Sequence, residues 1–435
     1  MSLGQDCGIA RRWSFPAVAE DEMMGDMSLN LPTLPHGRRY GFVLLVIAVL
    51  AVIVQVPGNT VIAVLLPPIA LLLNGIRLRG HRGEWTVWLW MALMLVPSFI
   101  AMLRYEALQD RSYFIVSLAL VFFALVVLRG SDGQDGARWL MRSLQAGLVV
   151  LALIGVAEVI TNYKLLFIRY PNSVVASWVD ANRFWTTSMY PNYNDFSVAL
   201  VVLSLFLAAR FLVKPGSVVV QVWRVVAVLA MAAWVLHMGS RGALVGLAAG
   251  LAILVILTQR RRDITSVPAW LLTSFFAVVI TGALVLSQTA FVQDEDTDER
   301  ALILGRLWHL ATVDPSVLLF GFGSPEQLDR YARGILDAAL VNPHNIIAET
   351  FLWGGVFGFV GFTTCWCYIA WQAVRNRTGA SWYAMAAVTT SLAMPLLGVT
   401  PSVILHYMYP QLLMIAAIAT FDPATREEAS GVAFK

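Results

Sequence analysis

The sequence predicts an all-α, polytopic membrane protein with about twelve transmembrane helices. Hydrophobic residues make up 58% of the 435 residues, and only 13% are charged. A soluble globular chain carries about 25% charged residues. Apolar runs recur along the chain, and each approaches the roughly 20 residues that a helix needs to cross a bilayer. These observations exclude an ordinary soluble globular protein.

Hydropathy divides the chain into three parts. Residues 1–36 form a flexible cytoplasmic tail, residues 37–421 form the membrane domain, and residues 422–435 form a short cytoplasmic tail. Arg11 and Arg12 are followed by a mixed, acidic stretch rather than by the apolar core of a signal peptide. We therefore expect no cleaved signal sequence.

Within the membrane domain, each apolar run between polar or glycine- and proline-rich segments is a candidate span. The twelve candidate spans are 41–57, 60–76, 84–103, 112–128, 140–160, 194–213, 221–239, 243–259, 267–288, 345–374, 381–399 and 403–421.

The distribution of Lys and Arg in the short loops predicts the orientation. Cations cluster in alternate connections, for example Arg77, Arg79 and Arg82 after span 2, and residues 260–262 after span 8. The opposite short loops hold few cations, and Arg241 is the only one between spans 7 and 8. Because short cytoplasmic loops are enriched in Lys and Arg, both termini are predicted to lie in the cytoplasm.

Two long loops, 162–193 and 289–344, are predicted on the outer face. The second contains the acidic run "DEDTDER" at 294–300. This run lacks the glycine and the terminal glutamate of a calcium-binding EF-hand loop, so it is interpreted as a solvated loop. No metal site, no cofactor and no nucleic-acid partner are predicted.

The centre of the membrane domain is almost free of charge. Glu158 and Glu349 are the main exceptions, and both lie within a few turns of the outer helix ends. Ion-coupled transporters usually need ionisable groups near the midplane. Their scarcity argues against a coupled transporter.

Four polar residues lie in outer connections or at their edges: Arg183, Arg241, Arg306 and His344. Each one alone has a structural explanation, as an interfacial anchor or a helix-end residue. Together they suit glycan transfer from a lipid pyrophosphate. Guanidinium groups pair with phosphate oxygens, and an imidazole can accept the proton of a sugar hydroxyl.

Several motifs carry a resemblance to a known family. "HNIIAETFLWGGVFG" fits the pattern H-[N/S/Q]-x(9)-G-x-x-G through His344, Asn345, Gly355 and Gly358. "SRGA" at 240–243, "GRLW" at 305–308, "LLFGFGS" at 318–324 and "NRFWTTSMYPNYNDF" at 182–196 accompany it. In order and spacing this set resembles the O-antigen ligases, within the superfamily that also contains O-antigen polymerases.

The resemblance implies a role for each matching residue. His344 would activate the acceptor hydroxyl as general base, and Arg241 and Arg306 would hold undecaprenyl pyrophosphate. Arg183, Asn194 and Asn345 would contact substrate. Because "YPNYNDF" stands where a simpler "NPNDF"-like string is usual, Asn192 is an alternative to Asn194.

The resemblance also implies the reaction and the architecture. The protein would be a metal-independent glycosyltransferase of the bacterial inner membrane, with a helix bundle resembling the GT-C type and capping loops in the periplasm. It would transfer polysaccharide from undecaprenyl pyrophosphate to the lipid A–core oligosaccharide, and the bilayer would hold both lipid-anchored substrates.

Three other functions remain open. An O-antigen polymerase would use the same donor chemistry with another lipid-linked glycan as acceptor. A protein O-oligosaccharyltransferase is disfavoured by the short segment after the last span. A lipid-linked glycan flippase would present cations to pyrophosphate, yet it has no need of a base beside them.

Overall fold

The computed structural model describes residues 36–54, 61–62, 65–66, 69, 83–104, 134–161, 186–190, 193–214, 216–260, 305, 308–309, 315–323, 345–375, 381–398 and 404–420. No β-strand occurs among these residues. Their helices, in chain order, are α1 His36–Ile53, α2 Glu84–Arg104, α3 Gln134–Thr161, α4 Tyr193–Val213, α5 Val218–His237, α6 Arg241–Gln259, α7 Pro315–Phe320, α8 Ile346–Val374, α9 Trp382–Leu397 and α10 Ile404–Ala419.

All of these helices except the short α7 coincide with predicted spans, with differences of a few residues at the ends. The predicted spans 112–128 and 267–288 lie outside the described residues, and span 60–76 is described at only a few positions. In the described part of the chain, α4, α5, α6, α8 and residues Ala137–Thr161 of α3 are long and apolar enough to cross a membrane. The prediction of a helical, multi-pass membrane protein is therefore confirmed at this level.

α4 and α9 form the interior of the bundle. α9 packs against α4, α6, α8 and α10, and nearly all of its side chains are buried. Its small residues, such as Ala384, Ala387 and Ala393, allow these neighbours to approach closely. α5 instead exposes large apolar side chains along its length, such as Val222, Trp223 and Leu229. In a membrane, this face of α5 would contact lipid.

Glycines bring α8 and α2 into close contact. A methyl group at Gly354 or Gly358 would lie 2.7 or 2.6 Å from the sulfur of Met94 on α2. One turn further along, a methyl group at Gly361 would lie 2.9 Å from the Cα atom of Trp90. Small residues at these positions allow α2 to lie closely along the first half of α8.

Cations gather at one end of the bundle, where α4 ends and α5 and α9 begin. The Arg210 guanidinium lies 4.7 Å from the ring centre of Trp382, and it donates to Oε1 of Gln145 at 3.2 Å. Arg224 donates to the carbonyl oxygens of Arg210 and Lys214 at 3.2 and 3.0 Å. Since Arg241 begins α6 at the far end of α5, the bundle separates these cations from it by the length of a helix.

Candidate functional site

Arg241 follows a tight turn between two consecutive helices, α5 and α6. Gly239, with a φ of 73°, reverses the chain directly after α5. The N–H groups of Gly239 and Ser240 donate to carbonyl oxygens in the last turn of α5, at 3.0 and 3.3 Å. This is the hydrogen-bond pattern of a Schellman motif. The turn satisfies the end of α5 and sets Arg241 as the first residue of α6.

The first turn of α6 lacks a side-chain cap. Ser240 occupies the N-cap position, but its hydroxyl makes no capping hydrogen bond. That hydroxyl is fully buried and has no hydrogen-bond partner among the described residues. The first N–H groups of a helix have no acceptor inside the helix. Those of Gly242 and Ala243 therefore need an acceptor from outside the helix.

Arg241 places a cation at the positive end of the α6 helix dipole. A helix N-terminus carries a partial positive charge, so a cation there does not stabilise the helix. The guanidinium, the first-turn N–H groups and the Ser240 hydroxyl are all hydrogen-bond donors that suit phosphate oxygens. This end of α6 can therefore bind an anion.

Asn345 caps the first turn of α8. Its Oδ1 accepts hydrogen bonds from the N–H groups of Ile347 and Ala348 at 2.8 and 3.2 Å. Its backbone is extended, with a φ of −154°, as is usual for an N-cap residue. The bonds fix the direction in which the chain enters α8 immediately after His344. The side-chain NH₂ group of Asn345 is not used in these bonds.

A kink at Gly355 receives a second segment of the chain. Gly355 has a φ of 63° and a ψ of −158° within α8, a conformation essentially restricted to glycine. The chain following α7 docks here, since the N–H groups of Phe322 and Gly323 donate to the carbonyl oxygens of Leu352 and Trp353 at 2.6 and 3.0 Å. Two of the sequence motifs, "LLFGFGS" and "WGGVFG", are therefore one structural unit.

The docked segment approaches the kink so closely that side chains are excluded. A methyl group at Gly321 would lie 2.5 Å from the carbonyl carbon and oxygen of Trp353. A methyl group at Gly355 would overlap the carbonyl group of Leu319. Gly321 and Gly355 are thus explained by backbone-to-backbone contact.

The starts of α6 and α8 meet through the end of α9. A methyl group at Gly246, near the start of α6, would lie 3.0 Å from the Cα atom of Leu397. The next residue, Gly398, accepts a hydrogen bond from the N–H of Ile346 at 2.9 Å. Through these contacts α9 holds Arg241 and Asn345 at the same end of the bundle.

The start of α4 joins this end as well. The hydroxyl of Ser197 lies 3.9 Å from the sulfur of Met238, in the turn that precedes Arg241. Asn194 is buried in the first turn of α4, and the neighbouring Asp195 is fully buried. Three predicted site residues, Asn194, Arg241 and Asn345, therefore lie at one end of the bundle.

The other three predicted site residues, Arg183, Arg306 and His344, lie outside the described residues, as does Asn192. Trp308, two positions after Arg306, stacks on Phe351 of α8 with ring centres 5.8 Å apart. The acidic run at 294–300 also lies outside them. Among the described residues, no group of three His, Cys, Asp or Glu side chains is arranged to hold a metal ion.

Sequence reasoning missed Ser240 and the docking of the Gly321 segment on the kink. The "GS" pair after a long apolar run is a typical helix-end signal and indicates the turn. The absence of a capping bond from Ser240 depends on its side-chain rotamer, and the docking joins residues 30 or more positions apart. Neither has a local signal in the sequence.

Residues 226–363, about a third of the chain, match the family model described as O-antigen ligase. The matched region includes Arg241, Arg306 and His344, and it ends within α8. No curated protein matches the chain. The family match confirms the predicted resemblance and supports the O-antigen ligase and polymerase superfamily.

Proposed function

We propose, with the O-antigen ligase match as premise, that this membrane protein joins polysaccharide to lipid A–core oligosaccharide. The donor is O-antigen polysaccharide on undecaprenyl pyrophosphate. The enzyme lies in the bacterial inner membrane with both termini in the cytoplasm and its site on the periplasmic face. The membrane domain spans residues 37–421 with about twelve helices of GT-C-like arrangement, between the tails 1–36 and 422–435. The long loops 162–193 and 289–344 cap the site.

The observation that carries this proposal is the uncapped start of α6. The buried Ser240 hydroxyl makes no capping bond. With the first-turn N–H groups and the Arg241 guanidinium, it places several hydrogen-bond donors at this end of α6. A pyrophosphate has several anionic oxygens that can accept hydrogen bonds from these donors, and helix N-termini commonly bind such groups. The contacts through α9 bring the start of α8, directly after His344, to the same end of the bundle.

The reaction divides between a base and a leaving-group site. His344 removes the proton from a hydroxyl of the acceptor sugar, and that oxygen attacks the anomeric carbon of the donor. The bond from this carbon to the pyrophosphate oxygen breaks. Arg241 and Arg306 stabilise the negative charge that develops on the departing undecaprenyl pyrophosphate. The reaction needs no metal ion, since these cations replace it.

Arg183 and the start of α4 contribute to substrate contact. Asn194 lies at the same end as Arg241, and the segment 182–193 carries aromatic residues that suit sugar stacking. Asn345 caps α8 directly after His344. Its NH₂ group, which the cap does not use, would donate a hydrogen bond to substrate.

Deleting the protein from its host tests the proposal. We expect core-only lipopolysaccharide, with long polysaccharide still accumulating on undecaprenyl pyrophosphate, because only the final transfer is lost. Gel analysis of surface glycolipids and of lipid-linked glycans measures both. Core capped with a single repeat, and no long lipid-linked polymer, would instead identify a polymerase. Loss of all glycan from the periplasmic leaflet would identify a flippase.

A further inference from the structure

Glu158 is a buried carboxylate with an unusual set of partners. It lies one turn from the end of α3 and is fully buried. Its Oε2 accepts hydrogen bonds from the backbone N–H groups of Thr187 and Ser188, at 3.1 and 2.9 Å. Burying a charge is costly unless hydrogen bonds compensate it. These two charge-assisted bonds supply compensation and tie α3 to a loop almost 30 residues later.

The loop 186–190 is held at further points. Ser188 has a positive φ of 53°, and its hydroxyl donates to the carbonyl oxygen of Leu151 at 2.9 Å. The N–H of Tyr190 donates to the carbonyl oxygen of Thr187 at 3.0 Å, and Tyr190 is fully buried. The loop therefore follows the last three turns of α3 in one defined conformation.

The same region of α3 sets the position of α4 and α5. A methyl group at Gly155, one turn before Glu158, would lie 2.6 Å from Cζ of Phe196 and 3.0 Å from Cη2 of Trp234. The rings of Phe196 and Trp234 meet edge to face, with centres 5.4 Å apart. Glu158 thus lies directly beyond the layer in which α3, α4 and α5 touch, on the side of the Arg241 turn.

From this arrangement we infer that Glu158 is a positioning residue for glycan transfer. By binding the backbone of Thr187 and Ser188, it holds the loop 186–190 at the Arg241 end of the bundle. The inference rests on the proposed function, because it takes Arg183 and Asn194, which flank this loop in the chain, to contact the donor. Glu158 itself does not touch the reacting atoms.

The chemistry of the contact suggests the decisive pair of variants. In Glu158→Gln, the amide oxygen has two lone pairs and can still accept both backbone N–H groups. In Glu158→Ala, both groups lose their acceptor, and this attachment of the loop to α3 is lost. If Glu158 acted only through its negative charge, both variants would remove that effect equally. The comparison therefore separates loop positioning from charge.

Steady-state transfer with a purified lipid-pyrophosphate donor and lipid A–core acceptor gives the first readout. For Glu158→Ala we expect the KM for the donor to rise at least about tenfold, since a buried backbone N–H left without an acceptor costs free energy on that scale. The kcat should change less than about threefold, because the contact acts on donor binding in the ground state and the transition state alike. Glu158→Gln should stay within about threefold of wild type in both constants.

Hydrogen exchange of the Thr187 and Ser188 amides gives a readout that does not depend on activity. It should accelerate in Glu158→Ala and stay slow in Glu158→Gln. Glu84→Gln is the matched control, since Glu84 is a buried glutamate at the start of α2 whose Oε1 accepts from the Trp88 indole at 2.8 Å. It should leave both readouts unchanged. If Glu158→Ala does not accumulate in cells, Ser188→Ala is the second variant. It removes the hydrogen bond from the same loop to the Leu151 carbonyl oxygen, and it should also raise the KM for the donor.

The outcomes separate the two proposals. Wild-type transfer with a donor KM unchanged in Glu158→Ala would overturn the positioning role and leave the ligase function standing. A fall in kcat at constant KM, or a Glu158→Gln variant as impaired as Glu158→Ala, would also overturn it. A wild-type protein that transfers no glycan would overturn the proposed function, and the positioning role with it.

Discussion

At the scale of single residues, the position of Arg241 in its helix bears on which of two roles its side chain has. The sequence alone allowed an interfacial anchor or a phosphate ligand. At the start of an uncapped helix, a guanidinium opposes the helix dipole instead of complementing it. That arrangement suits a bound anion better than it suits anchoring, which favours the phosphate ligand.

Replacing Arg241 tests this interpretation. We expect Arg241→Ala to lose about 1.5–3 kcal/mol of donor-dependent transition-state stabilisation, measured from kcat/KM, because a charge-assisted contact to phosphate disappears. Arg241→Lys should recover only part of it, since lysine lacks the planar fork; Arg306 should behave in the same way. Arg260→Ala, at the opposite end of α6, is the control that should retain activity. Full activity of the lysine variants would favour a diffuse positive potential.

His344 carries the second prediction at this scale. If it is the general base, His344→Ala should slow transfer by roughly 10²–10⁴-fold while donor binding persists. Single-turnover transfer and donor binding, measured separately, check both halves. His237 provides the control, because it is an exposed imidazole only four residues before Arg241. If His237→Ala is inactive and His344→Ala is active, the base has been assigned to the wrong residue.

At the scale of elements, the kink in α8 is the feature that organises the site. Gly355 adopts a conformation that other residues rarely accept, and the backbone after α7 fills the space beside it. The Asn345 cap and the Gly398 contact fix the first turns of α8, while the kink redirects the rest of the helix. The half of α8 that follows His344 is therefore held from three sides.

Gly355→Ala should destabilise the folded protein by more than about 2 kcal/mol, because it combines a strained backbone with a steric overlap. Gly354→Ala is the matched control, since its methyl group would meet the flexible thioether of Met94 rather than a backbone carbonyl. Thermal unfolding in detergent should show a clear fall in Tm for Gly355→Ala and a smaller one for Gly354→Ala. Equal Tm values for the two variants would contradict the docking argument.

At the scale of the whole molecule, the cation cluster at the end of α4 and the candidate site around Arg241 lie at opposite ends of the bundle. Arg210, Lys214 and Arg224 surround the end where α4 finishes, and Arg241 lies at the other end. With the excess of cations in alternate short loops, this separation predicts a cytoplasmic cation-rich end and a periplasmic site.

Cysteine labelling measures this orientation. Gly305 has open space around its Cα atom, so Gly305→Cys is accommodated and exposed. In a background without the native cysteines, it should react with a membrane-impermeant maleimide in spheroplasts. Gly216→Cys, exposed at the cation-rich end, should react only after the membrane is permeabilised. The reverse pattern of labelling would invert the topology and remove the site from the periplasm.

What the sequence determined by itself is the part of the structure that depends on local composition. Apolar runs bounded by turn residues predicted α4, α6 and α8 closely, because a membrane helix satisfies its own backbone hydrogen bonds and needs only an apolar surface. Arg241 and Asn345 were predicted as site residues from sequence motifs. The tertiary structure decided how segments that are distant in the chain meet. Glu158 holds a loop about 30 residues away, and the Gly355 kink accepts a distant backbone segment. Both depend on contacts between segments that are far apart in the chain, and no local periodicity encodes such a contact. Among the described residues, the Ser240 hydroxyl has no hydrogen-bond partner, which depends on its side-chain rotamer.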